Sequence, residues 1–448
     1  MIQVSTILKN QSKTITVTLQ QDEVDKGKIE LKSFKVIYES GSYDEFEADE
    51  HGFAKNTKEA DPVEPKILLF YYLEKLKRSF YKGLIQNKYN EIENLVVLSG
   101  AGSSVGIGKD NLGLTMAGLW DKMDEVDKPC LERLIKETKY AAVNDKDEID
   151  YTSLNKDLEA LLTKAGMKNA VEENVQLNTD IITARKIIAQ YCNLILPDDA
   201  PHSTFLNRVV LRPQKFSRVK IFTLNYDTLF EQAAAKEKFT VIDGFTFSSP
   251  RTFNGKYFDY DIIETRHNRQ DKKDSTISKL FYLFKMHGSL NWKRNLLEIE
   301  QSDAEIDVED RVMIFPQDSK YEHSYEQPYF EMMARFQQSL RIENTLLITI
   351  GFSFLDKHIS SVILETLKQN PSLHLIVLTF PEVVGEEKIY QQELHRITEL
   401  QSRVTMIAET FKDFTSDFPE NIAHRRIDIL EELNTQLKHI SKNHDKEK

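Results

Sequence analysis

The sequence predicts an α/β protein built on a doubly wound parallel sheet. Six short apolar segments have the length and composition of buried strands, and helical patterns separate most of them; they are residues 94–98, 219–223, 280–286, 312–315, 346–350 and 373–379. Buried strands that alternate with helices are typical of a parallel sheet covered on both faces. Residues 120–196 are helical in pattern almost throughout, which predicts a helical subdomain inserted at about 120–200.

The N-terminal residues predict a small β-rich module. Strand patterns occur at residues 14–19, 28–32 and 34–38, and the first is a strict alternation of apolar and polar side chains. An acidic stretch at 44–50 and the prolines Pro62 and Pro65 then indicate a linker. We therefore predict an N-terminal module at 1–60, either independent or packed as an extension on the main domain, which is expected at 66–410.

Helical patterns begin this main domain and follow it. From Lys66 to about Asn87, large apolar side chains recur at spacings of three and four. Residues 416–448 are expected to form a C-terminal helix with an apolar stripe from Ile427 to Ile440. Such a stripe needs a covering surface, in this chain or in a partner.

The composition excludes several classes of protein. The 448 residues include 59 lysines and arginines against 71 aspartates and glutamates, so the formal net charge is −12, and neither nucleic-acid binding nor membrane binding is expected. With only Cys130 and Cys192, the chain has neither a disulfide framework nor a four-cysteine zinc site. No apolar run approaches the roughly 20 residues that span a bilayer, and the N-terminus lacks a signal-peptide pattern. We expect a cytoplasmic protein.

The first candidate binding element is a glycine-rich turn between the strand at 94–98 and a helix. Its sequence is Gly100-Ala101-Gly102-Ser103-Ser104-Val105-Gly106. Such a turn lets the backbone approach a pyrophosphate, whose charge is favoured by the N-terminus of the following helix. The third glycine stands one residue later than in the usual dinucleotide pattern, so the alternative is a tight turn that binds nothing.

The second element follows the strand at 219–223. Asn225 and Asp227 stand two and four residues after Thr223, the last residue of this strand. An amide at this edge can hold a ribose hydroxyl or a water, and a carboxylate can contact a carboxamide or order its loop. The alternative is that both side chains cap the next helix.

Two further strands end in the same way. The strand at 280–286 places His287 directly before Gly288, and an imidazole can exchange protons with a hydroxyl or water near neutral pH. The alternative is a structural histidine. The strand at 346–350 runs into a turn that contains Gly351 and Ser353. All four turns are expected at one edge of the sheet, where open α/β sheets bind ligands.

The order and the residues of these motifs resemble those of the sirtuin family, in the bacterial sirtuin-like branch associated with NAD hydrolysis. The family's glycine-rich loop, Thr-x-Asn-x-Asp, His-Gly and Gly-x-Ser motifs are matched in order at Gly100 to Ser103, Thr223 to Asp227, His287 and Gly288, and Gly351 to Ser353. The resemblance spans roughly residues 66–410. It implies a Rossmann-like, sirtuin-type fold.

The resemblance also implies an NAD site with two catalytic residues. Asn225 positions the nicotinamide ribose or the attacking water, and His287 is the general base. The other matched positions bind NAD: Gly100, Ala101, Gly102, Ser103, Thr223, Asp227, Gly288, Gly351 and Ser353. In this scheme Ser103 lies near the nicotinamide ribose, Asp227 contacts the carboxamide or orders its loop, and Ser353 lines the adenosine side.

The sequence also departs from the protein-deacylating sirtuins. Those enzymes carry a four-cysteine zinc module shortly after His-Gly, whereas an acidic segment at 290–311 occupies that place here. We therefore expect no structural zinc and no other metal. The interval between Asn225 and His287 is unusually long and includes a polar stretch at 267–278, a candidate lid or disordered loop.

The first functional hypothesis is an NAD glycohydrolase that yields nicotinamide and ADP-ribose. A second is an NAD-dependent deacylase or ADP-ribosyltransferase, against which the missing zinc module counts. A third is a regulatory module that binds NAD or ADP-ribose without turnover, against which the presence of Asn225 and His287 counts.

The resemblance to the antiphage-defence branch implies a regulated enzyme, because uncontrolled hydrolysis would deplete cellular NAD. In that branch the activity is released on phage infection. We expect control through a homo-oligomer or a partner, with a hexameric ATPase or another defence protein as the candidate partner. The module at 1–60 and the C-terminal helix are the candidate surfaces.

Overall fold

A computed structural model describes residues 2–9, 13–21, 29–49, 52–55, 75, 77–83, 92–142, 149–151, 154–212, 216–264, 275–296, 298–313, 327–379, 396–398 and 403–419. The strands are β1 Ile2–Lys9, β2 Lys13–Gln21, β3 Ile29–Tyr38, β4 Tyr43–Asp49, β5 Gly52–Lys55, β6 Asn94–Ser99, β7 Lys220–Thr223, β8 Thr240–Ile242, β9 Arg251–Thr252, β10 Ile263–Glu264, β11 Ser275–Thr276, β12 Leu280–Lys285, β13 Gly288–Asn295, β14 Glu298–Gln301, β15 Arg311–Met313, β16 Thr345–Ile350, β17 His374–Thr379 and β18 Val404–Ala408. The α-helices are α1 Met116–Thr138, α2 Leu158–Glu172, α3 Val175–Cys192, α4 Pro201–Phe205, α5 Leu229–Glu237, α6 Tyr329–Arg341, α7 Lys357–Gln369 and α8 Phe411–Asp417. Ala101–Ser103 and Gly255–Asp259 form 3-10 turns, and Leu206–Val210 continues α4 as a π-helical turn.

The central sheet has twelve strands in the order β5-β4-β3-β2-β1-β18-β17-β16-β6-β7-β12-β8. The seven strands from β18 to β8 run parallel to one another. Along β6, Leu95 and Val97 belong to one apolar cluster, whereas Val96 and Leu98 belong to another. A strand buried on both faces needs a layer on each side, so these clusters confirm an α/β fold with a large, mostly parallel sheet.

The N-terminal strands extend this sheet, because β1 pairs antiparallel with β18 through Leu8 and Ile407. The prediction of two strands at 28–32 and 34–38 is wrong, since residues 29–32 and 34–38 lie in the single strand β3. The acidic stretch at 44–50, predicted as part of a linker, lies largely in β4. The border of the module at residue 60 stays a prediction.

The sequence pattern did not predict β4 as a strand, because most of its residues are acidic and only one of its large apolar side chains is in the core. Phe46 is 6 % exposed, and its ring stacks on that of Phe34 at 4.3 Å between centroids. Glu45 and Glu47, on either side of it along the strand, are not buried. A strand of an antiparallel sheet that is buried on one face only needs few apolar residues on the other face.

Three long helices lie between β6 and β7 in the chain, in the region of the predicted helical insertion. α1, α2 and α3 enclose a separate apolar cluster that includes Trp120, Leu134 and Ile188. Arg133 and Asp180 join α1 to α3 through an ion pair of 2.7 Å. The borders of this insertion and of the main domain stay predictions.

A second sheet has the order β15-β13-β14-β9; its strands β13, β14 and β15 follow His287 in the chain, whereas β9 precedes it. Its central aromatic side chain, Trp292, is 1 % exposed, and its ring lies 5.1 Å from that of Phe245 and 6.3 Å from that of Phe253. An aromatic core therefore supports the acidic segment at 290–311.

Several predictions fall wholly or partly outside the described residues. Within the helix predicted at 66–87, residues 77–83 are helical. Most of the stretch at 267–278 and residues 420–448 of the predicted C-terminal helix are not described. Among the described helices, none has both the length and the apolar character needed to cross a lipid bilayer.

Candidate functional site

The four predicted turns lie at one edge of the central sheet. Neighbouring strands pair through their last residues, Ile350 with Ser99, Ser99 with Thr223 and Thr223 with Lys285. All four strands are parallel, so the loops that follow β16, β6, β7 and β12 leave the sheet at the same level. This is the edge at which α/β sheets bind ligands.

The glycines of the first loop make room for another loop. A Cβ on Gly100 would lie 2.6 Å from the Gly351 carbonyl oxygen, and a Cβ on Gly102 would lie 2.6 Å from the Gly351 Cα. Gly351 itself has a φ of +59°. The Gly102 N–H donates to the Gly351 oxygen at 3.0 Å. The close contact between the two loops is therefore sufficient to require glycine at these positions, whether or not a ligand binds.

Internal hydrogen bonds use most polar groups of the glycine loop. Ser103 is fully buried, and its hydroxyl lies 2.6 Å from that of Ser99 and donates to the Gly100 carbonyl at 2.9 Å. These contacts order the loop, and the predicted place of Ser103 beside a ribose stays a prediction. The N–H of Ala101 donates to no other described residue, and Ala101 is exposed.

The side chain of Asn225 is anchored on this loop through one of its two polar atoms. Nδ2 donates towards the Gly100 carbonyl at 3.0 Å and the hydroxyls of Ser103 and Ser104 at 3.1 and 2.8 Å. A carbonyl oxygen can only accept, so Gly100 fixes which end of the amide faces the loop. The Asn225 Oδ1 has no hydrogen-bond partner among the described residues. The backbone N–H of Asn225 donates to the Thr223 hydroxyl at 3.1 Å, which orders the turn.

Asp227 uses both carboxylate oxygens within the protein. Oδ2 accepts from the Ser104 hydroxyl at 2.7 Å, and Oδ1 accepts from the Leu229 N–H at the start of α5 at 3.1 Å. The sequence left open whether this carboxylate contacts a carboxamide, orders its loop or caps the helix. The observed contacts are those of loop ordering and capping.

A buried lysine fixes the loop that carries Asn225. Lys285, the last residue of β12, has a side chain only 2 % exposed. Its ammonium group donates to the Asp227 carbonyl, to the Tyr226 carbonyl at 3.3 Å and to the Glu231 carboxylate at 3.1 Å. A buried charge is tolerated only when it is paired and hydrogen-bonded, as this one is.

His287 lies two residues beyond the last pair of β12 and β7, as Asn225 does on the neighbouring strand. Its Nε2 is 3.4 Å from Oδ2 of Asp356, which belongs to the loop after β16. Gly288 has a φ of +84°, and a Cβ there would lie 2.2 Å from the Val312 oxygen. Gly288 is therefore required by the pairing of β13 with β15.

Burial shapes the titration of two side chains near this edge. Burial raises the pKa of Tyr226, and the Glu159 carboxylate, to which its hydroxyl donates at 3.3 Å, raises it further. His202 on α4 is fully buried between the rings of Phe230 and Phe411, and burial lowers its pKa to about 4. Neither ring nitrogen of His202 has a hydrogen-bond partner within the described structure. His202 is therefore a neutral packing residue.

The remaining predicted residue and the metal prediction add little to the site. Ser353 is exposed, and its hydroxyl accepts from the Leu355 N–H at 3.4 Å. Its role beside adenosine stays a prediction. Nowhere in the described part of the chain do three His, Cys, Asp or Glu side chains form a group suited to a metal ion. The absence of zinc from the protein itself stays a prediction.

Sequence reasoning assigned no role to three residues of this site: Ser104, Lys285 and Asp356. Lys285 left a signal, because a lysine inside an otherwise apolar strand must find partners at the strand's end. Asp356 stands before a helix, where an aspartate ordinarily indicates a cap. Nothing in the sequence indicates its distance from His287.

Residues 219–400 match the family model of the SIR2-like domain. The matched segment is less than half of the chain and contains Asn225, His287 and Gly351, while the glycine loop at Gly100 precedes it. SIR2-like domains use NAD, so the match supports a sirtuin-like family and an NAD-related function. A search of curated proteins finds no match to the chain.

Proposed function

We propose that the chain is an NAD hydrolase, which cleaves the nicotinamide–ribose bond and yields nicotinamide and ADP-ribose. The electron pair of the broken bond goes to the nicotinamide ring nitrogen, and the ring leaves as a neutral molecule. The water oxygen bonds to the ribose carbon, and the water loses one proton. Cyclisation or transfer of ADP-ribose would differ from this reaction in the nucleophile.

The orientation of the Asn225 side chain carries this proposal. Its Nδ2 is held by the Gly100 loop, so Oδ1 is the atom left to accept a hydrogen bond from a ligand. A ribose hydroxyl or a water can donate to this oxygen. An asparagine held in this way can orient either group beside the glycine loop before the bond breaks.

His287 is the proposed general base. The register of β7 and β12 puts His287 level with Asn225, and only 9 % of the residue is exposed. A neutral imidazole accepts a proton from water or from a ribose hydroxyl near neutral pH. The proton removed from the nucleophile is therefore taken up beside the residue that orients it.

The glycine loop is the proposed pyrophosphate site. The Ala101 N–H is exposed and donates to no other described residue, so it can donate to a phosphate oxygen. Gly102 is exposed beside it and presents no side chain to obstruct a ligand. In the same scheme Ser353, on the loop that touches these glycines, lines the adenosine side.

We also propose that this hydrolase is a regulated effector that depletes NAD in bacterial antiphage defence. The resemblance of its motifs to that branch of the family supports this. A homo-oligomer, or a complex with a hexameric ATPase or another defence protein in the cytoplasm, would keep the activity off. At one end of the central sheet the N-terminal strand β5 follows β4, and a sheet edge offers backbone groups to a second chain.

Product analysis tests the proposed activity. Full-length protein is incubated with NAD, alone and together with the proteins encoded by neighbouring genes. The reaction products are then separated by chromatography. The hydrolase releases nicotinamide and linear ADP-ribose in equal amounts. Nicotinamide release that requires an acyl-lysine peptide or a protein acceptor would indicate a transferase or deacylase instead. NAD that binds but stays intact under every condition would indicate a binding module.

A further inference from the structure

The loop after β16 reaches across the sheet to His287. β6 and β7 separate β16 from β12 in the sheet, yet Asp356, six residues after β16 ends, comes within 3.4 Å of the His287 ring. The side chains of His287 and Asp356 are 11 % and 10 % exposed. The two side chains shield each other from water at the proposed catalytic edge. Hydration therefore does not explain why a carboxylate lies beside this imidazole.

The two oxygens of Asp356 have different partners. Oδ1 accepts from the backbone N–H groups of His358 and Ile359 at 3.0 and 3.4 Å, which caps α7. Oδ2 faces Nε2 of His287. The turn itself is tied down, because the Ser360 hydroxyl donates to the Phe354 carbonyl at 2.9 Å. The cap therefore holds the carboxylate in place while its second oxygen faces the histidine.

We propose that Asp356 is a positioning residue for His287. Its carboxylate accepts from the Nε2–H and so fixes both the orientation of the ring and its tautomer. An imidazole that carries its proton on Nε2 is basic at its other ring nitrogen. The carboxylate also stabilises the imidazolium ion that results. The catalytic part of this inference rests on the proposed hydrolase activity.

Substitutions that keep the cap and remove the carboxylate test this proposal. Asp356→Asn and Asp356→Ser both retain a side-chain oxygen suited to capping, so α7 keeps its first hydrogen bonds. Asp157→Asn is the matched control, because Asp157 caps α2 through the Ala160 N–H at 3.0 Å. The full-length variants are compared in melting temperature, in kcat and KM for NAD, and in the ¹⁵N chemical shifts of the His287 ring without NAD.

The proposal predicts that both Asp356 variants melt close to the wild type and lose kcat by about 10-fold to 10²-fold with little change in KM. That loss is a part of the 10²–10⁴-fold that a general base contributes. The His287 ring nitrogens should change their shifts in both variants, and Asp157→Asn should leave kcat and the shifts as they are.

Unchanged ring shifts in Asp356→Ser and Asp356→Asn would show that Asp356 is only a helix cap. Unchanged kcat per folded molecule in an active enzyme would show the same. The shifts are measured without NAD, so they decide about Asp356 even if the wild type cleaves no NAD. Absence of cleavage by the wild type would contradict the hydrolase and leave the structural part of the inference to the shifts.

Discussion

The Nδ2 atom of Asn225 lies 2.8 Å from the hydroxyl oxygen of Ser104, and that hydroxyl in turn donates to Asp227 at 2.7 Å. Ser104 follows β6, whereas Asn225 and Asp227 follow β7, so one hydroxyl joins the loops of two neighbouring strands. The residue proposed to orient the nucleophile is therefore held by the loop proposed to bind the pyrophosphate.

Ser104→Ala should destabilise the protein by about 1–3 kcal/mol, because the buried carboxylate of Asp227 loses a charge-assisted hydrogen bond. Turnover of NAD should fall less than in Asn225→Ala, since Gly100 and Ser103 still hold the amide. Ser203→Ala is the matched control, because the buried Ser203 hydroxyl has no partner among the described residues. Urea unfolding of both variants measures the difference, and equal stabilities would contradict the role of Ser104.

Gly102→Ala should destabilise the protein by about 1–3 kcal/mol, because its Cβ would lie 2.6 Å from the backbone of Gly351 and backbone cannot rotate away. Gly83→Ala is the matched control. A Cβ there meets nothing within 4 Å, so this variant should be neutral or slightly stabilising. Thermal unfolding compares the two, and a Gly102→Ala protein as stable as the wild type would show that the two loops are not in contact.

Lys285→Met should lower both stability and NAD turnover. The loss leaves Glu231 and two loop carbonyls without their ammonium donor, which costs about 3–5 kcal/mol for a buried pair. Turnover per folded molecule should fall as well, since Lys285 fixes the loop next to Asn225.

The control for Lys285 is Lys220→Met, which changes a half-buried lysine at the opposite end of the neighbouring strand β7. Lys220 donates to the Ser339 hydroxyl at 3.3 Å, and burial lowers its pKa. Lys220→Met should keep wild-type turnover. If Lys285→Met keeps it too when assayed well below its melting temperature, the loop does not depend on this ammonium group.

His202 should make the protein less stable in acid. Burial lowers its pKa from 6.5 to about 4 in the folded state, so the unfolded chain takes up a proton first as the pH falls. Stability is then complete above the unfolded pKa and is lost progressively between about pH 6.5 and 4, by roughly 3 kcal/mol at most. His202→Leu should flatten this part of the pH profile in urea titrations, and an equally steep profile in the variant would refute the assignment.

The sequence was sufficient to predict the parallel strands β6, β7, β12, β16 and β17, because each is a short run of side chains buried on both faces. It missed β4, β13 and β14, in which polar and charged residues outnumber the large buried apolar side chains such as Phe46 and Trp292. Placing the four turns at one edge followed from parallel strands alone.

The contacts between residues of the site could not be predicted from the sequence. The glycines of the first loop suggested a phosphate, yet the close approach of Gly351 already requires them. The pairing of His287 with Asp356 depends on how far the loop after β16 reaches across two strands. Distances between loops remote in sequence are set by packing, which local patterns do not encode.

Nicotinamide release from NAD by His287→Ala, compared with the wild type and with His374→Ala, decides whether His287 is the general base. His374 is the first residue of β17 and so lies at the other end of the parallel strands, away from the site. It is a control for the loss of a histidine elsewhere. We predict that the wild type and His374→Ala release nicotinamide at similar rates. His287→Ala should be about 10²–10⁴-fold slower with an unchanged melting temperature, and Asn225→Ala should be similarly inactive. Wild-type turnover per folded molecule in His287→Ala would show that His287 is not the general base.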